Sequence, residues 1–172
     1  MLINLSEVFT SEGKVKEYPV AIEADVLESG LSSYSIIRKE PAVLTISNIG
    51  ERKLLIEGTV KVSLLIPCSR CLQDVSTEFS LEVSKTVDMK QTEEERMKDL
   101  EDFSYILGYN LDVDQLVRNE LYVNLPMKVL CDDNCKGICN RCGTNLNYET
   151  CDCDITELDP RMAVIRDIFK KA

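Results

Sequence analysis

The stretch that decides the fold is residues 53–71, KLLIEGTVKVSLLIPCSRC. Within residues 59–65, the apolar residues Val60, Val62 and Leu64 alternate with Thr59, Lys61 and Ser63, and several of these are β-branched. This period of two is typical of a half-buried antiparallel strand. Pro67 lacks the N–H that a strand would use, so the predicted strand ends there. The chain then enters the pair Cys68 and Cys71, and the sequence therefore predicts a long strand that leads directly to two thiols.

Strand character extends to both sides of this stretch. The other segments with alternating or β-branched patterns are residues 18–27, 42–47 and 75–87. Residues 48–51, NIGE, have the composition of a hairpin turn. Because neighbouring strands with one apolar face pair most simply by hairpins, the sequence predicts an antiparallel sheet or a partly closed barrel.

Two helices are predicted to pack on this sheet. Residues 112–124 carry apolar side chains at helical spacing, with Asp112 as the N-terminal cap and Pro126 beyond the end. Residues 158–171 form the second candidate, with Pro160 at the first helical position. We therefore predict an α+β fold: an α+β core over residues 1–130, a cysteine-rich metal lobe over residues 131–157, and a C-terminal helix over residues 158–172 that packs on the core.

The composition restricts the chemistry of the protein. Its 172 residues include eight cysteines and no histidine, and 30 acidic against 20 basic residues give a net charge of −10. No apolar run approaches the roughly 20 residues of a membrane helix, and the N-terminus lacks the basic region of a signal peptide. We therefore expect a cytoplasmic protein whose thiols stay reduced. The lack of histidine removes the usual general base, which favours a protein that is not an enzyme.

The spacing of the cysteines is typical of metal ligands. Cys139 and Cys142 with Gly143 form a knuckle-type sequence, and Cys151 and Cys153 follow after a short loop, which makes a set of four thiolates. The four remaining cysteines make a second set by counting alone, and other groupings stay open, with one of them joining the rear set or staying free. We predict one or two structural Zn²⁺ ions, with these candidate ligands: Cys68, Cys71, Cys131, Cys135, Cys139, Cys142, Cys151 and Cys153.

Three other interpretations of the cysteines compete with zinc. Lone cysteines are usually buried apolar residues, but dense clusters beside charged residues do not fit that pattern. An iron–sulfur cluster needs thiolates too, although the usual ferredoxin spacing is absent. Cys68 and Cys71 also have the C-x-x-C spacing of a thiol oxidoreductase, but no βαβ pattern follows them.

Several strings together resemble one protein family. Residues 67–72, PCSRCL, resemble the early signature of the YceD family, also called DUF177. Residues 135–147, CKGICNRCGTNLN, are similar to its rear block, with Asn140 where proline is common. Residues 3–6, INLS, and residues 159–161, DPR, also fit. The resemblance implies a ribosome-biogenesis factor that supports accumulation of large-subunit ribosomal RNA.

The charge and the resemblance suggest the kind of partner. An acidic protein has little overall attraction to phosphate, so we expect it to bind a basic large-subunit ribosomal protein or the assembling large subunit. Direct RNA contact is the alternative, and it needs a local basic surface. The candidate residues for such a surface are Arg38, Lys39, Arg52 and Lys53, or Arg161, Arg166, Lys170 and Lys171.

Overall fold

The computed structural model describes residues 1–30, 32–90 and 104–153. The chain divides into two compact units. The first unit comprises Met1–Ile66 and Val75–Met127, and the second comprises Pro67–Asp74 together with Lys128–Ala172. The predicted helix over residues 158–171 lies outside the described residues. The predicted domain boundaries at residues 130 and 157 stay predictions.

The described elements run from the N-terminus through nine strands and two helices. In chain order they are β1 (Leu2–Asn4), α1 (Ser6–Phe9), β2 (Val15–Val20), β3 (Val26–Ser29), β4 (Ser32–Lys39), β5 (Ala42–Gly50), β6 (Lys53–Pro67), β7 (Asp74–Asp88), β8 (Ile106–Leu107), β9 (Asn110–Asp112) and α2 (Val113–Asn124).

Strand β6 organises the larger of two sheets. The strands of this sheet are hydrogen-bonded in the order β2-β5-β6-β4-β3, and β7 also pairs with β6. The pairs β2–β5, β5–β6, β6–β4 and β4–β3 are all antiparallel. Because β6 alternates, its apolar face is buried, and Leu54, Ile56 and Leu64 are completely inaccessible to solvent. The predicted antiparallel sheet around this strand is confirmed, whereas closure into a barrel stays a prediction.

A smaller sheet and helix α2 complete the first unit as described. The sheet has the order β1-β9-β8 and is antiparallel. Helix α2 confirms the prediction for residues 112–124, because the Asp112 carboxylate accepts hydrogen bonds from the N–H groups of Asp114 and Gln115. The apolar stripe of the helix, which includes Leu116 and Leu121, is buried. No helix in the described residues has the length and apolar character needed to cross a membrane.

The prediction of one strand over residues 18–27 is wrong. Strand β2 ends at Val20, where its partner β5 begins at Ala42, and β3 starts only at Val26. Between them, the N–H groups of Glu23 and Ala24 donate to Asp114 Oδ1 at 2.8 and 3.0 Å. A side chain thus satisfies backbone donors that a continuous strand would give to a neighbouring strand.

The hairpin turn predicted at residues 48–51 is placed too early, because the observed turn comes later in the chain. Strand β5 continues to Gly50, which pairs with Lys53, and the turn consists of Glu51 and Arg52. Both turn residues have positive φ, 52° and 63°, which is the conformation of a type I′ hairpin. Asn48 is buried within the strand instead, and its amide donates to the carbonyl oxygen of Val8 at 3.1 Å.

Candidate metal centres

The second unit contains a tight turn around Cys68 and Cys71. The N–H of Cys68 donates to the carbonyl oxygen of Gln73 at 2.8 Å, and the N–H of Leu72 donates to the carbonyl oxygen of Cys68 at 2.9 Å. These two bonds fold the six residues back on themselves. As a result, both thiols are presented from one short segment, and both residues are buried.

The same turn occurs again at Cys139 and Cys142. The N–H of Cys139 donates to the carbonyl oxygen of Thr144 at 2.8 Å, and the N–H of Gly143 donates to that of Cys139 at 2.9 Å. In both turns the residue after the second cysteine has a left-handed backbone, with φ of 62° at Leu72 and 75° at Gly143. The knuckle predicted at Cys139 is therefore one of two equivalent turns.

The first cysteine group combines the early pair with two later thiols. The Sγ atoms of Cys68 and Cys135 are 3.9 Å apart, and those of Cys71 and Cys131 are 3.5 Å apart. All four sulfurs lie within 4.8 Å of one another. Of the groupings that the sequence left open, the structure shows the one in which the early pair meets Cys131 and Cys135.

Backbone hydrogen bonds bring the two segments of this group together. The N–H of Ser69 donates to the carbonyl oxygen of Val129 at 2.8 Å, and the N–H of Ile138 donates to that of Arg70 at 3.1 Å. Gly137 permits the approach, because a Cβ at this position would lie 3.0 Å from the carbonyl oxygen of Arg70. Its φ of 81° is a second reason for glycine.

The second group consists of the four rear thiols. Its sulfurs also lie within 4.8 Å of one another, and they belong to Cys139, Cys142, Cys151 and Cys153. In each group one thiol is exposed, Cys131 in the first and Cys142 in the second. The two groups therefore divide the eight cysteines equally.

The geometry of both groups fits a tetrahedral metal ion. A Zn–S distance of about 2.3 Å implies an edge of about 3.8 Å between sulfurs in a tetrahedron, and the distances of 3.5 and 3.9 Å in the first group lie close to it. The eight thiols are free rather than bonded in disulfides, whose sulfurs would be about 2.05 Å apart. Both groups could thus hold a metal ion through four sulfurs, which would leave no open position on the ion.

Hydrogen bonds to sulfur favour the thiolate form in each group. Burial raises the pKa of the Cys68 thiol, but donation from the backbone N–H groups of Cys71 and Arg70 outweighs it and lowers the pKa to about 6. In the second group, the side chain and then the backbone N–H of Thr144 lower the pKa of Cys142 to about 6. Hydrogen bonds also lower the pKa of Cys135 and of Cys139, so the surroundings favour two negative sulfurs in each group.

Further thiolates repel one another. The neighbouring sulfurs of Cys135 and then Cys71 raise the pKa of Cys131 to about 12. The sulfur of Cys142, followed by burial, raises the pKa of Cys153 to about 12. Four negative charges at this separation need a cation among them, because each like charge disfavours ionisation of the next. A divalent ion bound to the sulfurs would supply that charge.

Three supporting residues were not identified from the sequence. The Asn147 amide donates to Cys135 Sγ at 3.3 Å and lowers the pKa of that thiol. Arg70 Nη1 donates to the carbonyl oxygen of Cys135 at 2.8 Å, and the hydroxyl of Thr144 lies 3.1 Å from Cys142 Sγ. The only signal in the sequence was the position of these polar residues close to cysteines, which a solvated loop explains equally well.

Two of the comparisons with known proteins name the same family. The sequence profile of the family described as "Large ribosomal RNA subunit accumulation protein YceD" matches residues 56–169. The chain is 27% identical over 174 aligned residues to "Large ribosomal RNA subunit accumulation protein YCED homolog 1, chloroplastic" of Arabidopsis thaliana, which covers 84% of this chain and 48% of that protein. The "Uncharacterized protein YlbN" of Bacillus subtilis is 22% identical over 126 residues, 73% of this chain and 72% of the relative.

The extent of these matches differs between the two proteins compared. The chain spans about half the length of the Arabidopsis relative. No solved structure matches this chain. The family profile, however, extends over well more than half of the chain and includes both cysteine groups. The protein therefore belongs to the YceD family.

Proposed function

We propose that the protein is a non-enzymatic ribosome-biogenesis factor that supports accumulation or processing of large-subunit ribosomal RNA. The observation that carries this proposal is the family match, together with the printed name of the Arabidopsis relative. The proposal extends that name to a chain that covers about half of that relative, so the role needs a direct test.

The two cysteine groups have a structural role in this proposal. Each group provides four sulfurs and neither histidine nor carboxylate, so a bound Zn²⁺ would be fully coordinated by protein. Catalytic zinc keeps a position open for water or substrate, and these groups leave none. The ions would link segments of the second unit and stabilise its fold over the unfolded, metal-free chain.

The proposed partner is a basic large-subunit ribosomal protein or the assembling subunit. The formal charge is −10, and two Zn²⁺ bound by eight thiolates would take it to about −14. The basic residues considered for RNA binding are partly neutralised in the structure. Arg38 pairs with Glu40 at 3.2 Å, and Lys39 pairs with Asp25 at 2.6 Å. This favours a protein partner over RNA, whereas Arg161, Arg166, Lys170 and Lys171 lie outside the described residues.

The oxidoreductase alternative has one observation in its favour and one against it. The lowered pKa of Cys68 is typical of a reactive thiolate. Cys68 is completely buried, however, and its sulfur lies 3.9 Å from that of Cys135. Alkylation separates the alternatives, because a redox pair reacts fast at Cys68 and Cys71 alone, whereas zinc protects all eight thiols until a chelator removes it.

The test of the proposed function is complementation. A bacterial strain that lacks its own YceD gene receives this protein, and the ratio of mature large-subunit to small-subunit ribosomal RNA is measured. We expect the wild-type protein to restore the ratio. In a separate measurement, native mass spectrometry gives the metal content of the purified protein and should show two zinc ions per chain. An unchanged ratio would refute the role in ribosomal RNA, and a metal-free mass would refute structural zinc.

A further inference from the structure

Leu72 combines two features that do not stabilise a folded protein. Its backbone is left-handed, with φ of 62°, a conformation that is unfavourable for residues with a Cβ. Its side chain is apolar and 64% exposed. The residue therefore stores backbone strain and gains little burial in return. Strain of this kind is concentrated at functional sites.

The second knuckle shows that the turn itself does not need this side chain. Gly143 has the same place in that turn, with the same hydrogen bond back to the first cysteine and a similar φ of 75°. Glycine adopts this conformation without strain. The leucine at position 72 is thus explained neither by the turn nor by the core.

The residues that directly follow Leu72 along the chain, and those that one hydrogen bond brings to them, are exposed. Tyr148 is 72% exposed, and its hydroxyl donates to Gln73 Oε1 at 3.0 Å, which holds the aromatic ring near the first knuckle. Asp74 follows Gln73, Glu149 follows Tyr148, and both are exposed. Neither carboxylate forms an ion pair with any described residue. We call this set, residues 72–74 with residues 148–149, the Leu72 surface.

We propose that the Leu72 surface binds a basic, extended protein segment that carries an aliphatic side chain between lysines or arginines. Leu72 would contact the aliphatic group, the two unpaired carboxylates would attract the cations, and the Tyr148 ring offers a face for a cation–π contact. The same carboxylates repel the phosphates of RNA. This proposal rests on the proposed function and specifies the chemistry of its partner.

Fluorescence anisotropy with defined probes tests the proposal. The probes are a labelled 12-residue peptide of Lys, Arg, Leu and Gly, the same peptide with Glu in place of the basic residues, and a single-stranded RNA of equal length. The decisive variant is Leu72→Gly, since glycine keeps the turn and removes only the side chain. The matched control is Val123→Ala, which truncates an 80% exposed apolar residue outside the surface.

We expect the zinc-loaded protein to bind the basic peptide in preference to the acidic peptide and the RNA. Leu72→Gly should weaken this binding at least tenfold, while the zinc content stays unchanged and the thermal midpoint does not fall, because glycine relieves the backbone strain. The double variant Asp74→Asn and Glu149→Gln should weaken it and reduce its dependence on salt. Val123→Ala should bind like the wild type.

Other results would overturn the proposal. These are equal binding by Leu72→Gly and the wild type, no preference for the basic peptide, or tighter binding of the RNA. The proposed function fails independently, because failure of the wild-type protein to restore ribosomal RNA would refute that role whatever the peptides do. If the wild-type protein restores ribosomal RNA and Leu72→Gly does so equally well, the role stands and the Leu72 surface is not its binding site.

Discussion

Loss of the first cysteine group should destabilise the protein more than loss of the second. A metal in the first group would join Cys71 to Cys131, which are 60 residues apart. A metal in the second group would join Cys142 to Cys151, which are nine residues apart. The entropy that a cross-link removes from the unfolded chain grows with loop length, and it amounts to about 4.3 kcal/mol for the long loop and about 2.6 kcal/mol for the short one.

The comparison uses Cys131→Ser and Cys151→Ser. Cys131 is exposed and Cys151 is half-exposed, so neither change removes much packing. We expect each substitution to release the ion of its group, and Cys131→Ser therefore to lower the free energy of unfolding by about 1.7 kcal/mol more than Cys151→Ser, which is the difference between the two loop-closure free energies. The measurement is urea unfolding of the zinc-loaded proteins, followed by far-ultraviolet circular dichroism.

Chelator-treated proteins provide the control for this experiment. Without metal neither loop is closed, so the difference between the two variants should disappear. Equal losses in the zinc-loaded state, or a larger loss for Cys151→Ser, would refute the loop-closure reasoning. A difference that persists in the chelator would show that the effect comes from the substitution itself rather than from the metal.

Three further predictions concern the sheet, the helix and the thiols. Gly58→Ala should lower the free energy of unfolding by more than about 2 kcal/mol, because the added Cβ would lie 2.7 Å from both the Val43 carbonyl oxygen and Leu44 Cδ2. Thermal unfolding measures this loss, and a midpoint equal to that of the wild type would contradict it. Asp112→Ala should cost about 1 kcal/mol through loss of the helix cap, and Asp112→Asn should restore most of it. The metal-free protein should become more stable as the pH rises from about 6 to about 9, because the lowered pKa of Cys68 leaves the folded state with fewer bound protons than the unfolded chain. This contribution to stability is lost as the pH falls through about 6. A free energy of unfolding that does not change over this pH range would refute the prediction.

Several elements were predictable because their signals are local. The alternation of apolar and polar residues in β6 indicates which of its faces is buried, and Asp112 caps the helix that begins at the next residue. The prediction of a strand over residues 18–27 was wrong because the backbone there has a partner that is distant in the sequence. The chain leaves the strand after Val20 because Asp114, far along the sequence, accepts the N–H groups at residues 23 and 24. The short strands β1, β8 and β9 were missed because two or three residues carry no detectable period, and β4 was missed because Ile36 is its single buried residue and leaves no alternation to detect.

The sequence by itself determined the knuckle at Cys139 and Cys142, since C-x-x-C spacing followed by glycine sets the backbone geometry within six residues. The equivalent turn at Cys68 and Cys71 was found only in the structure. The lack of histidine also excluded every ligand set that combines cysteine with histidine. Only the tertiary structure decided that Cys68 and Cys71 meet Cys131 and Cys135, because counting allowed other groupings. The choice depends on backbone hydrogen bonds such as that from Ile138 to Arg70, which join residues 68 positions apart and leave no trace in local spacing.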